Sequence, residues 1–597
     1  VKSLIAFSQQ VLEDFGDQCG VSTTRDFEEV SRRVEHEGES FLTITLAAFG
    51  KQFLASLEAG RVEPNTFMGF SHGRAGLPRF LGGFLAQVFD EYGVVRSNPS
   101  IEAIRAIHGF TAMFAKKKEL CSPERISAAM HGFAATDAEV GAFAETIPTE
   151  RLEALQRVFN MLFGRALDVV DRKVFNGEIL PKHGPGATAE KLSSNGKYLH
   201  EVWTERLEFY FPAGENLFPN WGWYNQLQRV NFCKPSDESP VRVVAVPKTA
   251  VTPRIIAIEP AHMQYVQQGI LEALTSALQM LPVWDVMGNL DQTPNQRLAL
   301  EGSLSGDLAT LDLSEASDRV SLRVVEKMLG HYPSLREAVL ACRSQTADVL
   351  GIGIIPLSKF ASMGSALCFP IESMVFTAII FERLLNEFHI DPAAWASSLE
   401  GRVRVYGDDI IVPVDYVESI IDSLEAFGLK VNRRKSFWKS NFRESCGLDA
   451  YAGHRITPIR LRSAFPTDRR QATELAKTIS FRNQLYAEMR FEKAVKHLDQ
   501  MIKAVFPQVR NVPVGHSGLG LWADDYVVRQ CVRLHKPLVR AHVLEHTLPE
   551  DYLEEHGALM KWFLKRGDKP FDKNHLSRAG RPQTVRIKSG WLPLLEG

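Results

Sequence analysis

The chain has 597 residues, with 69 Lys and Arg against 71 Asp and Glu for a formal charge of −2, and it is 45% hydrophobic and 23% charged. That composition excludes a disordered, collagen-like or disulfide-scaffold chain, and length alone argues for about four domains or lobes. Its cysteines (Cys19, Cys121, Cys233, Cys342, Cys368, Cys446 and Cys531) are scattered and form no CxxC pair, which predicts free thiols, a reducing compartment and no structural zinc.

At the N-terminus, Val1-Lys2, a short Leu4-Ile5-Ala6-Phe7 and Gln9-Gln10 lack the apolar length and small-residue cleavage site of a secretion signal. From Glu13 to about Phe175, apolar residues recur at three-to-four spacing (Phe80, Phe84, Val88; Leu152, Leu155, Val158, Leu162), with breaks such as Ser97-Asn98-Pro99. This predicts a helical region. Its first 60 residues are acidic, with a net charge of −5.

From about Pro181 to Arg460 the texture changes. Short β-rich runs at 241–246, 254–258, 308–313, 403–405 and 410–414 alternate with helical stretches, which predicts an α/β body. A nearly continuous apolar run, Met374 to Phe381 with Thr377 inside it, falls far short of the ~18 residues of a membrane span. A soluble, cytoplasmic protein is expected. Helical periodicity returns from Thr467 to roughly Phe506, and the last fifty residues read as irregular and basic. His542 and His546, four apart, read as an exposed polar helix rather than a metal pair. Residues 430–470 and 561–588 carry net charges of +8 and +7, so the near-zero total is a cancellation. Either segment suits a phosphate backbone or a solvated face.

The run Arg402-Val-Arg-Val-Tyr-Gly-Asp-Asp-Ile-Ile-Val-Pro413 predicts a hairpin whose tight turn carries Asp408 and Asp409, with Gly407 supplying the backbone freedom. An Asp-rich surface turn has the same pattern. Residues 307–318 predict a strand that delivers Asp312 to the mouth of a sheet, a helix N-cap being the other reading. If the two lie side by side, three carboxylates offer oxygen-only donors suited to Mg²⁺ or Mn²⁺. Two such ions about 3.5–4 Å apart suit in-line nucleotidyl transfer. Lys248 and Arg254 flank a loop between two β-runs, either facing a triphosphate or as plain surface cations. His183-Gly184-Pro185-Gly186 lacks the ending of a P-loop, and reads as a finger loop touching template or nucleotide, or as a plain turn. Trp221, Trp223 and Tyr224 are the aromatic cluster to test for base stacking, although numerous aromatics at helical spacing suggest core.

In chain order, these segments resemble the RNA-dependent RNA polymerases of positive-strand RNA phages, the Qβ (levivirus) type, over roughly residues 181–462. Val246-Pro247-Lys248 with Arg254 and Ile258-Glu259-Pro260 looks like motif F. Asp291-Gln292-Thr293 with Asn295-Gln296-Arg297 matches a family-specific stretch. Asp312-Leu313-Ser314 through Asp318 looks like motif A, and Ser362-Met363-Gly364 with Glu372-Ser373-Met374 like motif B. Tyr406-Gly407-Asp408-Asp409 is similar to motif C, and Phe442-Arg443-Glu444-Ser445-Cys446-Gly447 to motif E. Two departures stand out: Ser365-Ala366 replaces the family's Asn-Gly, and Pro370 its Glu.

The resemblance implies a right hand of palm, fingers and thumb: a helical N-terminal region over 1–175, fingers and palm over 176–465, and a helical thumb-like and basic C-terminal region over 466–597. It implies that Asp312, Asp408 and Asp409, with the Leu313 carbonyl, hold two Mg²⁺ or Mn²⁺ ions. Lys248, Arg254, Asp318, Gly364 and Ser365 would bind the nucleotide, with Asp318 near the ribose 2′-hydroxyl. Lys435 would either protonate the leaving pyrophosphate or contact phosphate, and Arg443, with Gly184 and Gly186, would meet RNA. The expected partners are RNA template and product, ribonucleoside triphosphates, host translation elongation factors and a ribosomal RNA-binding protein, with no membrane, in the cytoplasm of a bacterial host. A reverse transcriptase, a narnavirus- or mitovirus-type polymerase and a non-catalytic RNA-binding viral protein are the rivals.

Overall fold

A computed structural model describes all residues except 74–75, 119–120, 289, 388–400, 534, 548–549, 552, 554, 566–583 and 595–597. Of the second basic segment, Arg566, Lys569, Lys573, Arg578 and Arg581 therefore lie outside the described residues. The architecture is mixed α/β, as the sequence predicts.

Helices dominate the first 175 residues, ending in the long pair Pro123–Thr146 and Thr149–Phe175. Pro123 opens the first of these where its missing N–H costs nothing, and Ser122 caps it by accepting the Arg125 N–H at 3.4 Å. The second buries Leu152, Leu155, Leu162 and Val170 on one stripe, as the periodicity predicts. That stripe belongs to a core shared with the Ala261–Leu278 and Cys368–Glu387 helices and with the strands carrying Leu311 and Ile410. The Met374–Phe381 run is buried within that core. Among the described residues, no single helix is long and apolar enough to cross a membrane.

A second core joins chain segments far apart in sequence. Phe7, Phe15, Phe49, Phe53 and Phe110 pack with Phe437, Phe442 and Tyr451 and with Leu475, Ile479, Leu498 and Ile502 of two later helices. The first 114 residues thus pack against segments that follow the α/β body's central motifs in sequence. Polar ties reinforce the packing. Glu58, at the end of the Leu46–Ala59 helix, accepts the backbone N–H groups of Trp438, Lys439 and Ser440 at 2.8, 2.7 and 3.1 Å. His108 meets the buried Asp449 at 2.7 Å.

Two small sheets frame the centre. One is mixed and four-stranded, in the order Arg254–Ile258, Val241–Val246, Thr346–Val349, Gly353–Pro356. Beside it Glu259 is buried, accepts Ser344 Oγ at 2.6 Å, and has its pKa pushed up to about 7, chiefly by burial. A carboxyl raised from its unfolded value of about 4.3 contributes stability fully below that value and loses it as pH rises through the folded pKa. Wild-type protein should therefore lose stability relative to E259Q between pH 5 and 8, on the order of 3 kcal/mol. Paired thermal unfolding across that range checks this; parallel curves would refute it.

The C-terminal part departs from expectation. Val528–Cys531, Lys536–Thr547 and Thr584–Pro593 form an antiparallel sheet, and His556–Leu564 is a helix. The described residues of the segment are therefore not all irregular. Along Thr584–Pro593, Val585 and Ile587 alternate with Arg586 and Lys588, so a period-two signal is hidden by basic composition. His542 and His546 accordingly lie on a strand, not a helix. His542 is buried, with its ring nitrogens 3.0 Å from Gln508 O and 3.0 Å from Ser589 Oγ.

Candidate active site

The second central sheet has the order Leu308–Asp312, Asp409–Pro413, Arg404–Tyr406, all antiparallel. Its register pairs Asp312 with Asp409 and Tyr406 with Asp409, so Gly407-Asp408 is a two-residue hairpin loop. Gly407 has φ 57°, and a Cβ there would lie 2.5 Å from the Phe369 ring. Both the turn and the packing demand glycine. Asp312 does not cap a helix: the following Leu322–Met328 helix is capped by Ser321, which accepts the Val324 N–H at 3.3 Å.

The three aspartates feel one another. Asp312 has its pKa raised by burial, with Asp408 adding to the rise and Lys435 and Asn432 opposing it. Asp409 is pushed up to about 6, first by burial, then by Asp408 and Asp312, against hydrogen bonds from Cys446. Asp312 Oδ2 accepts Asn432 Nδ2 at 2.9 Å and lies 3.4 Å from the half-exposed Lys435 Nζ. Burial pushes the Lys435 pKa down, but Asp312, Glu444 and Asp408 outweigh it and carry it up. With Asp312 held by Asn432 and Lys435, and Asp409 by Cys446, no three His, Cys, Asp or Glu side chains among the described residues converge on one metal position. The donor set nonetheless fits a hard divalent cation: its side-chain oxygens are all carboxylate, and their mutual repulsion is what such a cation relieves. Lys435 supplies part of that compensating charge. Leu313 is buried directly after Asp312.

Cations close the opposite side. Lys248 follows the Val241–Val246 strand, and Arg254 pairs with Val246 across the loop. The Lys248 pKa is lowered by desolvation, then by Arg254 and Lys435, while Asp408 and Asp312 pull it up. Lys248, Arg254 and Lys435 thus share one electrostatic neighbourhood with two of the aspartates.

Motif B abuts the same strands. Gly364 has φ 136°, a Cβ there would lie 1.9 Å from Ala257 O, and the adjacent Met363 carbonyl accepts the Ala257 N–H at 2.9 Å. G364A should cost about 3 kcal/mol through this clash with rigid backbone and the disfavoured φ. Thermal unfolding checks it, with an unchanged midpoint as the refuting result. Ser365 is turned inward: its hydroxyl donates to Gln267 Oε1 at 3.2 Å and accepts the Leu367 N–H at 3.3 Å.

One expectation needs correction. Arg443 does not face a product strand: it is fully buried and spends its guanidinium on the carbonyls of Leu308, Ser440 and Phe442. Burial of that size needs several acceptors, and the three carbonyls serve Nε and Nη1, while Nη2 has no partner among the described residues. Gly184 and Gly186 direct their carbonyls onto the buried Lys197 ammonium, at 3.0 Å for Gly184. Trp221 and Tyr224 are exposed with ring centroids 5.3 Å apart, whereas Trp223 packs near His556.

The sequence marks the Asp291–Arg297 stretch only through its resemblance, and Lys359 not at all; the structure shows what they support. Asn295 is buried, accepts Arg404 Nε at 3.1 Å, and reaches Asp409 O and Ser445 Oγ at 3.4 Å each. Gln296 Nε2 donates to Cys446 O at 3.0 Å. The Asp291–Arg297 stretch thus braces the carboxylate hairpin against the Phe442–Ser445 strand. Lys359, wholly buried, donates to Asp318 Oδ1 at 3.0 Å.

Residues 233–486 match the family described as RNA replicase, beta-chain. The chain is 38% identical over 229 residues to the RNA-directed RNA polymerase subunit beta of Qbeta virus (strain MX1), covering 38% of this chain and 36% of that protein. It is 30% identical over 387 residues to the corresponding protein of Enterobacteria phage SP, covering 61% and 62%. It is 36% identical over 220 residues to the beta chain of Escherichia phage MS2, covering 37% of each. The matched segments therefore span between about a third and three-fifths of those relatives' lengths. A human picorbirnavirus RNA-dependent RNA polymerase structure aligns over 45% of this chain and 57% of its own, at 12% identity and a TM-score of 0.35. The likeness rests instead on the family match and the sequence relatives, with the motif residues in the family's order: over residues 233–486 the chain is similar to the RNA replicase beta-chain family.

Proposed function

We propose that the chain is a template-directed RNA polymerase that copies single-stranded phage RNA from ribonucleoside triphosphates by two-metal nucleotidyl transfer. One observation carries this reading: Asp312 lies in register with the Asp408–Asp409 hairpin, with Lys248 and Lys435 within electrostatic reach. Asp312, Asp408 and Asp409, with the Leu313 carbonyl, are the residues that would hold two Mg²⁺ or Mn²⁺ ions. Such ions activate an attacking hydroxyl and stabilise the leaving oxygen. The chain's own groups do the rest. Lys248 and Arg254 bind the triphosphate, Asp318 accepts the ribose 2′-hydroxyl, and the loop of Gly364 and Ser365 shapes the nucleotide pocket from its packed side. Lys435 delivers a proton to the departing pyrophosphate. Gly184 and Gly186 would meet RNA through the outer side of their loop.

The fingers and palm would span 176–465, with helical and basic regions at 1–175 and 466–597 completing the hand. The relatives' names describe subunits, which supports assembly with further proteins: host translation elongation factors and a ribosomal RNA-binding protein, in the cytoplasm of a bacterial host. The test is incorporation of labelled ribonucleotides on single-stranded RNA by the purified chain, alone and with proteins that co-purify from a bacterial host. RNA binding without incorporation in either preparation would favour a non-catalytic RNA-binding protein.

A further inference from the structure

Three segments distant in sequence converge on one buried ammonium. Lys359 lies in the loop leading to Gly364, and its side chain is 0% exposed. Its Nζ donates to Asp318 Oδ1 at 3.0 Å, lies 3.9 Å from Asp137 Oδ1, and sits 3.4 Å from the centroid of the Phe133 ring. Phe133 and Asp137 come from the Pro123–Thr146 helix, and Asp318 from the turn beyond Asp312. An ammonium taken wholly out of water is tolerated only when it is paired, so Asp318 and Lys359 constrain each other.

The two carboxylates beside Lys359 are not equivalent. Asp137 is buried and accepts the Ser358 and Lys359 backbone N–H groups at 2.9 and 3.1 Å. It fixes the main chain, and the Lys359 ammonium lies closer to Asp318. The Asp318 side chain remains 20% exposed, so the carboxylate is clamped on one oxygen while open to a ligand. A carboxylate fixed in place is an acceptor with a defined direction, which suits a sugar hydroxyl donor.

We infer that Lys359 is a positioning residue for sugar selection: it locks Asp318 so that the carboxylate meets the 2′-hydroxyl of the incoming nucleotide. Through it the Pro123–Thr146 helix, outside the family-matched segment, takes part in discriminating ribose from deoxyribose. The inference rests on the reading of Asp318 given above.

The experiment uses the full chain with any co-purifying subunits and compares wild type, K359M and D318N. It measures kcat/KM for one ribonucleotide and its 2′-deoxy analogue, alongside thermal unfolding. K359M keeps the apolar stem and leaves Asp137 satisfied by its backbone donors. The expected result is a ribose-to-deoxyribose ratio lowered about tenfold in K359M, through slower use of the ribonucleotide. D318N should lower the ratio at least as much. If K359M fails to fold, K359Q, which keeps a donor, is read for the same ratio and should fall between. A lowered ratio in D318N with an unchanged ratio in the Lys359 variant overturns the inference while leaving the reading of Asp318 intact. An unchanged ratio in both overturns both. Equal loss with the two nucleotides, accompanied by a lower unfolding temperature, makes Lys359 merely structural and overturns the inference.

Discussion

Asp408→Asn is expected to remove nucleotide incorporation while leaving RNA binding largely intact. Asp408 is exposed at the tip of a hairpin whose strands are otherwise buried, so the amide substitutes without disturbing the core. It also relieves repulsion, because Asp408 raises the pKa of both Asp312 and Asp409. Stability should therefore hold or rise slightly, whereas one anionic oxygen donor is lost. Charge stabilisation at a phosphoryl centre is worth several kcal/mol, so the rate should fall about a thousandfold. Asp312→Asn should match it. Asp409→Asn should also lose incorporation, but less completely, since the Asp409 carboxylate already takes hydrogen bonds from Cys446. Single-nucleotide incorporation and filter binding, measured on the same preparations, decide the matter. Unchanged polymerisation by both Asp408→Asn and Asp409→Asn would sink the catalytic assignment.

What could be read from the sequence was what depends on short-range pattern. The β-runs around Gly407-Asp408-Asp409 fix a hairpin because apolar β-formers flank a glycine that must take positive φ, and the structure adds the register that sets Asp312 opposite Asp409. The helical texture to Phe175 and from Thr467 to Phe506 was equally plain, because stripes of apolar residues repeat over several turns. Long-range pairing left no such trace. Nothing local marks Glu58 as the acceptor for three N–H groups beside the Phe442–Ser445 strand, or Lys359 as the partner of Asp318. Lysine and arginine mislead most in composition, since their usual place is the surface. Arg443 and Lys359 are wholly buried, and the alternating Thr584–Pro593 strand is masked by its own charges. The charge balance misleads in the same way. Within the basic 430–470 segment, some cations are spent internally, Arg443 on carbonyls and Arg460 3.5 Å from Asp449. Others, Arg455 and Arg469 among them, remain exposed for a phosphate backbone.

Lys435→Met is expected to slow incorporation about a hundredfold, the usual share of a positioned general acid, while changing the nucleotide KM little. The ammonium lies 3.4 Å from Asp312 Oδ2, and its carboxylate neighbours carry its pKa above the ordinary lysine value despite burial. It is therefore protonated throughout the working range and able to give its proton to an oxygen leaving beside Asp312. A lysine that only contacts phosphate would behave differently, because its removal would raise KM and leave kcat nearly unchanged. The reverse reaction with pyrophosphate offers a second reading. Catalysis by proton transfer accelerates both directions alike, so Lys435→Met should slow pyrophosphorolysis by the same factor. Lys435→His separates proton donation from charge. An imidazole donates only below its pKa, which the same carboxylates would carry above the ordinary value of about 6.5, so the variant should regain activity at acidic pH and lose it as pH rises through that raised value. Activity of Lys435→His that does not vary with pH, or a Lys435→Met defect confined to KM, would assign Lys435 to phosphate binding alone.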